Sequence, residues 1–186
     1  ILVNHNSDAI EALKAINKTK SFIALIIDEN QKLIGTITDG DIKLTGGNVA
    51  LLENFIEKLY EIGIKVDQCK DYLRVKRVKS SSLKSTNIIT EPFPGFPTDL
   101  QAQMMALLSI ANGVSKIEEQ IFENRFMHVP ELIRMGANIE IEGRKAIISG
   151  VNELRGAPVK ATDLRASVSL VLAGLVANGH TIIDKI

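Results

Sequence analysis

A short pattern occurs twice in this chain, and that repeat constrains the fold more than any other feature of the sequence. Residues 98–102 read Thr-Asp-Leu-Gln-Ala and return at 162–166 as Thr-Asp-Leu-Arg-Ala. The Ala-Asn-Gly of 111–113 returns at 177–179. Offsets of 64 and 66 residues exceed the roughly 20 to 50 residues of solenoid repeats. The repeat therefore predicts pseudo-symmetric α/β units packed around a common core.

The spacing of apolar residues predicts the elements of each unit. One-sided apolar spacing indicates helices, and alternation of apolar and polar residues indicates strands. Each unit then reads strand, helix, strand, strand, strand, helix. The predicted helices are 51–62, 99–111, 129–135 and 163–177, and the predicted strands between them are 114–120, 138–142 and 146–151. Three of the five prolines fall in 91–97, which predicts a stiff loop before the second helix.

The overall composition excludes several classes of protein. Lysine and arginine total 22, aspartate and glutamate also total 22, and 45% of the residues are hydrophobic. This composition is typical of a packed domain, and it argues against disorder and against a nucleic-acid binder, which carries a basic excess. Because no apolar stretch reaches the roughly 18 residues needed to cross a bilayer, no membrane partner is expected.

The cysteine content and the chain ends add further expectations. Cys69 is the single cysteine, so no internal disulfide can form. Together with the absence of a signal-peptide pattern, this predicts a cytoplasmic protein. No base lies near Cys69 in the sequence, so we expect an inert thiol. The chain begins at Ile1 and ends at Ile186 within a strand pattern, which predicts that both ends are cut.

The first copy of the repeat, Thr98-Asp99-Leu100-Gln101, opens a predicted helix and has two interpretations. It is typical of a capping box, in which the Thr98 hydroxyl accepts a bond from a backbone amide and Gln101 reaches back. That interpretation leaves a second role open to Asp99. A carboxylate in the first helical turn is kept ionised by the helix dipole. Asp99, which follows a stiff loop, is therefore also a candidate proton acceptor for a bound hydroxyl.

The second copy, Thr162-Asp163-Leu164-Arg165, repeats the position with different chemistry. Arg165 places a positive charge at the positive end of a helix dipole, which local electrostatics disfavour. In one interpretation, Arg165 forms an ion pair with Asp163 or with a neighbouring carboxylate. In the other, Arg165 and the helix amides form a site for a phosphate or carboxylate. The sequence leaves both open.

A polar segment, Glu123–His128, lies between a predicted strand and a predicted helix. Loops at strand ends in α/β proteins often carry sites, but this segment by itself is more typical of a solvated surface. We expect His128 to pack near the helix start. One histidine among scattered carboxylates is not a metal-binding pattern, and no phosphate-binding glycine loop is present. No metal and no cofactor are therefore expected.

Four blocks resemble the enolpyruvyl transferases, and within them the enzymes that act on UDP-N-acetylglucosamine. The blocks are Phe96-Pro-Thr-Asp-Leu-Gln-Ala-Gln103, Phe122-Glu-Asn-Arg-Phe-Met-His-Val129, Arg134-Met-Gly-Ala137 and Ala161-Thr-Asp-Leu-Arg-Ala-Ser167. They stand in the family's order, and the resemblance extends from about residue 40 to Ile186. It implies an α/β fold, an incomplete inside-out α/β barrel with helices inside and sheets outside. That fold agrees with the repeat.

The resemblance also implies a reaction and the residues that carry it. Enolpyruvate would pass from phosphoenolpyruvate to a hydroxyl of UDP-N-acetylglucosamine, releasing phosphate, in the synthesis of peptidoglycan precursors. By matching position, Asp99 would accept the hydroxyl proton and Ile121 would contact the nucleotide sugar through its backbone. The arginines of the cleft would lie near the phosphate or carboxylate of phosphoenolpyruvate. The further residues implied for the cleft are Arg125, Asp163, Arg165 and, in a supporting role, Glu123.

Part of the family's pattern is absent from this chain. The family has two barrel-like domains with the active site between them, and the chain matches most of one. The reactive cysteine of the family belongs to the other domain, and Cys69 does not match its loop. Because both sides of such a cleft position the reactants and exclude water, we expect negligible turnover from this chain alone.

The first forty-odd residues resemble a different family. Asp8-Ala-Ile-Glu-Ala-Leu13, Leu25-Ile-Ile-Asp28 and residues 33–42 resemble one cystathionine-β-synthase-type (CBS) motif, which implies half of a CBS-like βαββ piece. In that family, residues matching Thr38 and Asp41 bind the ribose of an adenine nucleotide.

The two resemblances predict a division of the chain into a CBS-like fragment, 1–43, and a truncated enolpyruvyl transferase-like domain, 44–186. They also leave two alternatives to an enzyme. One is a regulatory module that senses an adenine nucleotide. The other is a non-functional chimera whose unpaired strand edges promote association.

Overall fold

The computed structural model describes residues 2–4, 23–27, 33–38, 41–45, 49–70, 72–76, 83–161 and 163–184, with side chains from residue 42 onward. The chain divides into two compact units, Ile1–Glu53 with Ile64–Val78 and Asn54–Gly63 with Lys79–Ile186. The helix of the predicted βαββ piece lies outside the described residues.

The first unit contains a six-stranded sheet in the order β1-β2-β3-β4-β6-β5. Its strands are β1 (Leu2–Asn4), β2 (Ile23–Ile27), β3 (Leu33–Thr38), β4 (Asp41–Thr45), β5 (Val66–Cys69) and β6 (Tyr72–Lys76). Strand β1 pairs with β2 in parallel, and the remaining pairs are antiparallel. Thr38 and Asp41 fall in β3 and β4, but their side chains lie outside the described part of the chain.

The second unit combines helices with two sheets. The helices are α1 (Glu53–Ile62, joined to this unit from Asn54), α2 (Gln101–Leu108), α3 (Val129–Arg134) and α4 (Leu164–Val176). The strands are β7 (Asn87–Thr90), β8 (Val114–Glu119), β9 (Asn138–Glu142), β10 (Lys145–Ser149), β11 (Pro158–Lys160) and β12 (Ile182–Asp184). A four-stranded sheet has the order β7-β8-β10-β9, with β7 parallel to β8, and β11 pairs in parallel with β12.

Helix α2 lies in the interior of the second unit. Helix α2 buries side chains on nearly every side, which is typical of a helix surrounded by protein; they are Gln101, Ala102, Met104, Met105, Ala106 and Leu108. Helix α2 packs against α4. The four-stranded sheet buries one face, which includes Ile117 of β8 and Ile148 of β10, whereas Ile89 of β7 lies on the other face and is about half exposed. Helices inside and sheets outside is the predicted arrangement.

The backbone confirms the predicted repeat. Gly63 and Gly136 both end a helix with positive φ, 97° and 91°, a conformation that glycine adopts without a Cβ penalty. The chain returns to each helix end through equivalent bonds, from Lys84 N to Ile62 O at 2.9 Å and from Arg155 N to Met135 O at 2.8 Å, just before β7 and β11 begin. The strand order β8-β10-β9 also reproduces the order β4-β6-β5 of the first unit.

Helix α4 is strongly apolar yet short. It has 13 residues, fewer than the roughly 20 that a bilayer requires, and none of the helices in the described ranges is long and apolar enough to span a membrane. Five of its apolar side chains are exposed: Leu164, Val168, Leu172, Leu175 and Val176.

Candidate active site

The two repeated helix starts meet at one crevice. The Asp163 carboxylate caps α4, because its Oδ1 accepts bonds from Arg165 N at 2.8 Å and Ala166 N at 3.1 Å. The guanidinium of Arg165 therefore pairs elsewhere, and its Nε donates to Asp99 Oδ1 at 2.6 Å. The nearest guanidinium nitrogen of Arg125 lies 3.9 Å from the same oxygen. Of the two interpretations of Arg165, the ion pair is present, and its partner is Asp99 and not Asp163.

This cluster lies at the solvent boundary. The side chains of Asp99, Arg165 and Arg125 are 67%, 41% and 17% exposed. Exposed ion pairs contribute little to stability, so the cluster does little to hold the fold together. One carboxylate between two guanidiniums leaves an excess positive charge, and paired N–H donors of guanidinium suit carboxylates and phosphates. The arrangement can bind an anion beside a carboxylate that accepts protons.

The crevice beneath the cluster is small and holds two buried polar atoms without partners. About 10 Å³ is lined by Thr98, Gln101, Ala102, Arg125, His128, Asp163, Arg165 and Ala166. Gln101 Nε2 and His128 Nε2 have no hydrogen-bond partner. His128 packs at the start of α3 as expected, and its burial lowers the pKa of the imidazole to about 4, with the Asp163 carboxylate acting in the opposite direction. His128 is therefore uncharged at neutral pH.

Asp99 and Ile121 share a second, shallower cavity. It measures about 240 Å³ and is lined by Glu91, Pro92, Phe93, Pro97, Thr98, Asp99 and Ile121. The predicted stiff loop therefore forms one of its walls. The Ile121 amide donates to Glu119 Oε1 at 2.9 Å. A ligand that contacts the backbone of Ile121 would consequently use its carbonyl.

Glu123 lies apart from the crevice. Its side chain is 80% exposed and pairs with Arg144, whose Nη2 is 3.0 Å from Glu123 Oε1. Arg125 contributes to a third cavity of about 460 Å³ together with the aromatic ring of Phe122. The guanidinium carbon of Arg125 lies 4.3 Å from the centre of the Phe122 ring. This cation–π contact fixes the direction of the Arg125 side chain.

The predicted capping box at Thr98 is wrong. Helix α2 is preceded by a 3-10 turn, Thr98–Leu100, whose N-cap residue is Pro97, and no side chain caps either segment. The Thr98 hydroxyl donates instead to Glu119 Oε2 at 2.8 Å. The Thr98 hydroxyl is thus directed at a buried carboxylate, a strong charged acceptor, and accepts no bond from an amide of the helix start.

Glu119 is the residue that the sequence analysis missed. It ends β8, is 1% exposed, and contacts both the Thr98 and the Ile121 segments. The sequence contained a signal for the burial of Glu119, because the alternation along β8 places it on the same face as the buried Ser115 and Ile117.

Neither a metal cluster nor an activated thiol stands out in the described ranges. No three His, Cys, Asp or Glu side chains there come close enough to hold a metal ion. Cys69 is a half-buried free thiol in β5.

The sequence matches the family model EPSP synthase (3-phosphoshikimate 1-carboxyvinyltransferase) over residues 33–186. The chain belongs to this family. Enzymes named UDP-N-acetylglucosamine 1-carboxyvinyltransferase are similar to it: those of Paracoccus denitrificans and Cereibacter sphaeroides are 56% and 58% identical over 154 residues, 83% of this chain. The chain spans about 36% of the length of these curated relatives.

Solved structures of EPSP synthase relatives share the fold. The enolpyruvyl transferase NikO from Streptomyces tendae superposes with a TM-score of 0.72 at 25% identity, covering 80% of this chain and 35% of that protein. EPSP synthase from Acinetobacter baumannii superposes with a TM-score of 0.63 at 18% identity, covering 82% of this chain and 37% of that protein. The α/β fold class of the enolpyruvyl transferases is confirmed.

The family match begins at residue 33, so it includes Thr38 and Asp41. None of these comparisons supports the CBS-type motif or its adenine nucleotide, and both stay predictions. The boundary at 43/44 also stays a prediction. The two compact units do not divide the chain at that position.

Replacing the cap of α4 tests the local architecture of the site. We expect Asp163→Ala to lower the free energy of unfolding by about 1 kcal/mol, because two amides lose their acceptor. Asp163→Ser, which retains a capping oxygen, should lose less than half as much. Urea unfolding followed by circular dichroism measures both. Equal losses from the two variants would contradict a capping role.

Proposed function

We propose that this chain forms one side of the active site of a UDP-N-acetylglucosamine 1-carboxyvinyltransferase. The reaction transfers enolpyruvate from phosphoenolpyruvate to UDP-N-acetylglucosamine and serves synthesis of the bacterial cell wall. The observation that carries the proposal is the contact of Asp99 with Arg165 and Arg125 at one crevice. All three residues lie in the part of the chain that matches relatives of that name at 54–58% identity.

The proposed roles follow from charge and position. Asp99 accepts the proton of the attacking sugar hydroxyl, and the two arginines bind the anionic groups of phosphoenolpyruvate. In the ligand-free chain, Arg165 holds Asp99 through one bond at 2.6 Å. An anionic donor at Arg165 competes for that guanidinium and releases the carboxylate. Donor binding would therefore free Asp99 Oδ1 to bond the sugar hydroxyl.

The remaining residues support this centre. Asp163 fixes the first turn of α4 and thereby the backbone position from which the Arg165 side chain extends. Ile121 shares the Asp99 cavity and offers its carbonyl to the sugar nucleotide. Glu123, paired with Arg144 at the surface, keeps only a supporting role.

A binding experiment tests the proposal on this chain. In NMR titrations, phosphoenolpyruvate and UDP-N-acetylglucosamine should shift the amide signals of Asp99, Ile121 and Arg165. Arg165→Gln should weaken phosphoenolpyruvate binding at least tenfold because a charged, hydrogen-bonded contact is lost. Arg134→Gln is the matched control, since Arg134 pairs at the surface with Glu131. Absence of shifts in the parent chain, or equal binding by Arg165→Gln, would count against the function.

Turnover by the isolated chain should be negligible. The chain spans about 36% of its relatives, and one side of a cleft neither orients both reactants nor excludes water. Phosphate release from the two substrates measures this directly. Rapid release would refute the expectation that the site needs a second side.

Several finer assignments remain predictions. The domain boundary at 43/44 stays a prediction, and it falls within β4 (Asp41–Thr45), which pairs with β3 and with β6. A cytoplasmic location is likewise a proposal, supported by the single cysteine of the chain. The adenine-nucleotide alternative is decided by calorimetry with AMP, in which Asp41→Ala should abolish any heat that the parent chain gives.

A further inference from the structure

Glu119 is a buried carboxylate whose four partners are all neutral donors. Its Oε1 accepts from Thr90 Oγ1 at 2.8 Å and from the amides of Ile121 and Phe122 at 2.9 and 3.1 Å. Its Oε2 accepts from Thr98 Oγ1 at 2.8 Å. The residue is 1% exposed, and burying a charge is costly unless its oxygens are hydrogen-bonded in this way.

The three bonds to Oε1 require an oxygen at that position, and the charge of the carboxylate strengthens all four bonds. Thr90 Oγ1 already accepts a bond from Gln120 N at 2.9 Å, so its own proton points toward Glu119. The other three partners also direct a hydrogen at the carboxylate. With its oxygen at the Oε1 position, a glutamine would turn its amide toward Thr98 Oγ1, so that bond would reverse its direction and the other three would lose their charged acceptor.

Glu119 joins the two segments that carry the proposed sugar-nucleotide residues. Thr98 immediately precedes Asp99, and the bound amides belong to Ile121 and to Phe122, whose ring lies under Arg125. Asp99 and Ile121 line one cavity, although 22 residues separate them in the chain. One carboxylate therefore sets the distance between the Asp99 segment and the Ile121 segment.

We propose that Glu119 is a positioning residue for the sugar-nucleotide site, holding the Asp99 and Ile121 segments at the spacing that binding requires. This proposal rests on the proposed function for the identity of the ligand. Glu119 does not touch substrate. It acts through the loop hydroxyl and the two loop amides.

The first experiment measures ligand affinity. By NMR titration, Glu119→Gln should raise the dissociation constant for UDP-N-acetylglucosamine at least tenfold. The matched control is Glu118→Gln, because Glu118 is the adjacent glutamate and pairs at the surface with Lys145 at 3.6 Å. The control should remain within twofold of the parent. Unchanged affinity in Glu119→Gln would overturn the proposal, and so would equal loss in the control.

A second comparison separates positioning from general stability. Thr98→Val removes the hydroxyl bond, whereas Thr98→Ser retains it. We expect Thr98→Val to weaken binding and Thr98→Ser to restore most of it, with both variants folded by circular dichroism. Equal affinities of the two variants would contradict a role for the Thr98 contact.

A ligand-free measurement keeps the two proposals distinguishable. In Glu119→Gln, amide hydrogen exchange at Ile121 and Phe122 should accelerate at least tenfold, while amides of α4 stay protected. If the parent chain binds no sugar nucleotide, the proposed function fails, and the exchange result alone decides whether Glu119 holds the segments. Exchange that accelerates equally throughout the second unit would show a merely structural role and overturn positioning.

Discussion

Gly150→Ala should destabilise the second unit by roughly 3 kcal/mol or more. A Cβ at Gly150 would overlap the backbone carbonyl of Ala111. Backbone cannot turn aside as a flexible side chain can, so the end of β10 must move. That movement breaks the bond from Gly150 N to Gly113 O at 3.0 Å and the neighbouring bond from Val151 N to Ser109 O at 2.8 Å. Urea unfolding followed by circular dichroism measures the loss.

Gly143→Ala is the matched control for this substitution. Gly143 lies in the turn between β9 and β10 with φ of 61°, and a Cβ there would contact nothing within 4 Å. Only the left-handed backbone penalty of about 1 kcal/mol applies. If Gly150→Ala proved no more destabilising than Gly143→Ala, the close approach of the Ala111 backbone would be wrong.

The second large effect concerns pH and His128. Burial lowers the pKa of this imidazole from 6.5 to about 4, so between these values the unfolded chain binds a proton that the folded chain does not. Stability therefore falls as pH falls through this window. Linkage gives a loss of about 2 kcal/mol between pH 7 and pH 5. Arg125, Arg165 and Asp163 line the same crevice, and the Asp163 carboxylate opposes the effect of burial on the pKa of His128.

His128→Gln should remove most of this slope, whatever its effect on stability at pH 7. His180→Gln is the control, since His180 is exposed, and it should leave the slope intact. Burial opposes the shift, but bonds from Lys58 and Thr86 lower the pKa of Glu61, and bonds from Arg74 and Lys76 lower the pKa of Asp67. The stability that these carboxylates lose on acidification is lost in the parent and in both variants alike. Urea unfolding at the two pH values gives the slopes, and NMR titration of the imidazole gives the pKa. A His128 midpoint near 6.5 would contradict the prediction.

Local pattern was sufficient for several elements of the second unit. The predicted helix 163–177 is observed as Leu164–Val176, and the predicted strand 138–142 is observed as Asn138–Glu142. Residues in these segments follow periodicities that arise from burial of one face. The 64-residue repeat likewise placed Asp99 and Arg165 at equivalent helix starts, and their side chains are in contact.

The helix start at Thr98 shows where local pattern fails. Its sequence fits a capping box, but its hydroxyl is taken by Glu119, which is 21 residues away along the chain. Local capping contributes about 1 kcal/mol, and a charged acceptor in a buried site exceeds it. No local rule includes a partner at that separation.

The amino-acid sequence alone determined the family, the repeat and most of the residues that form the cluster, because these depend on periodicity and on matching blocks. Only the tertiary structure decided their partners: Arg165 with Asp99 instead of Asp163, Glu123 with Arg144, and Thr98 with Glu119. Partner choice depends on which charges and donors folding brings within about 3 Å of each other, and that distance is set by packing between segments far apart in the chain.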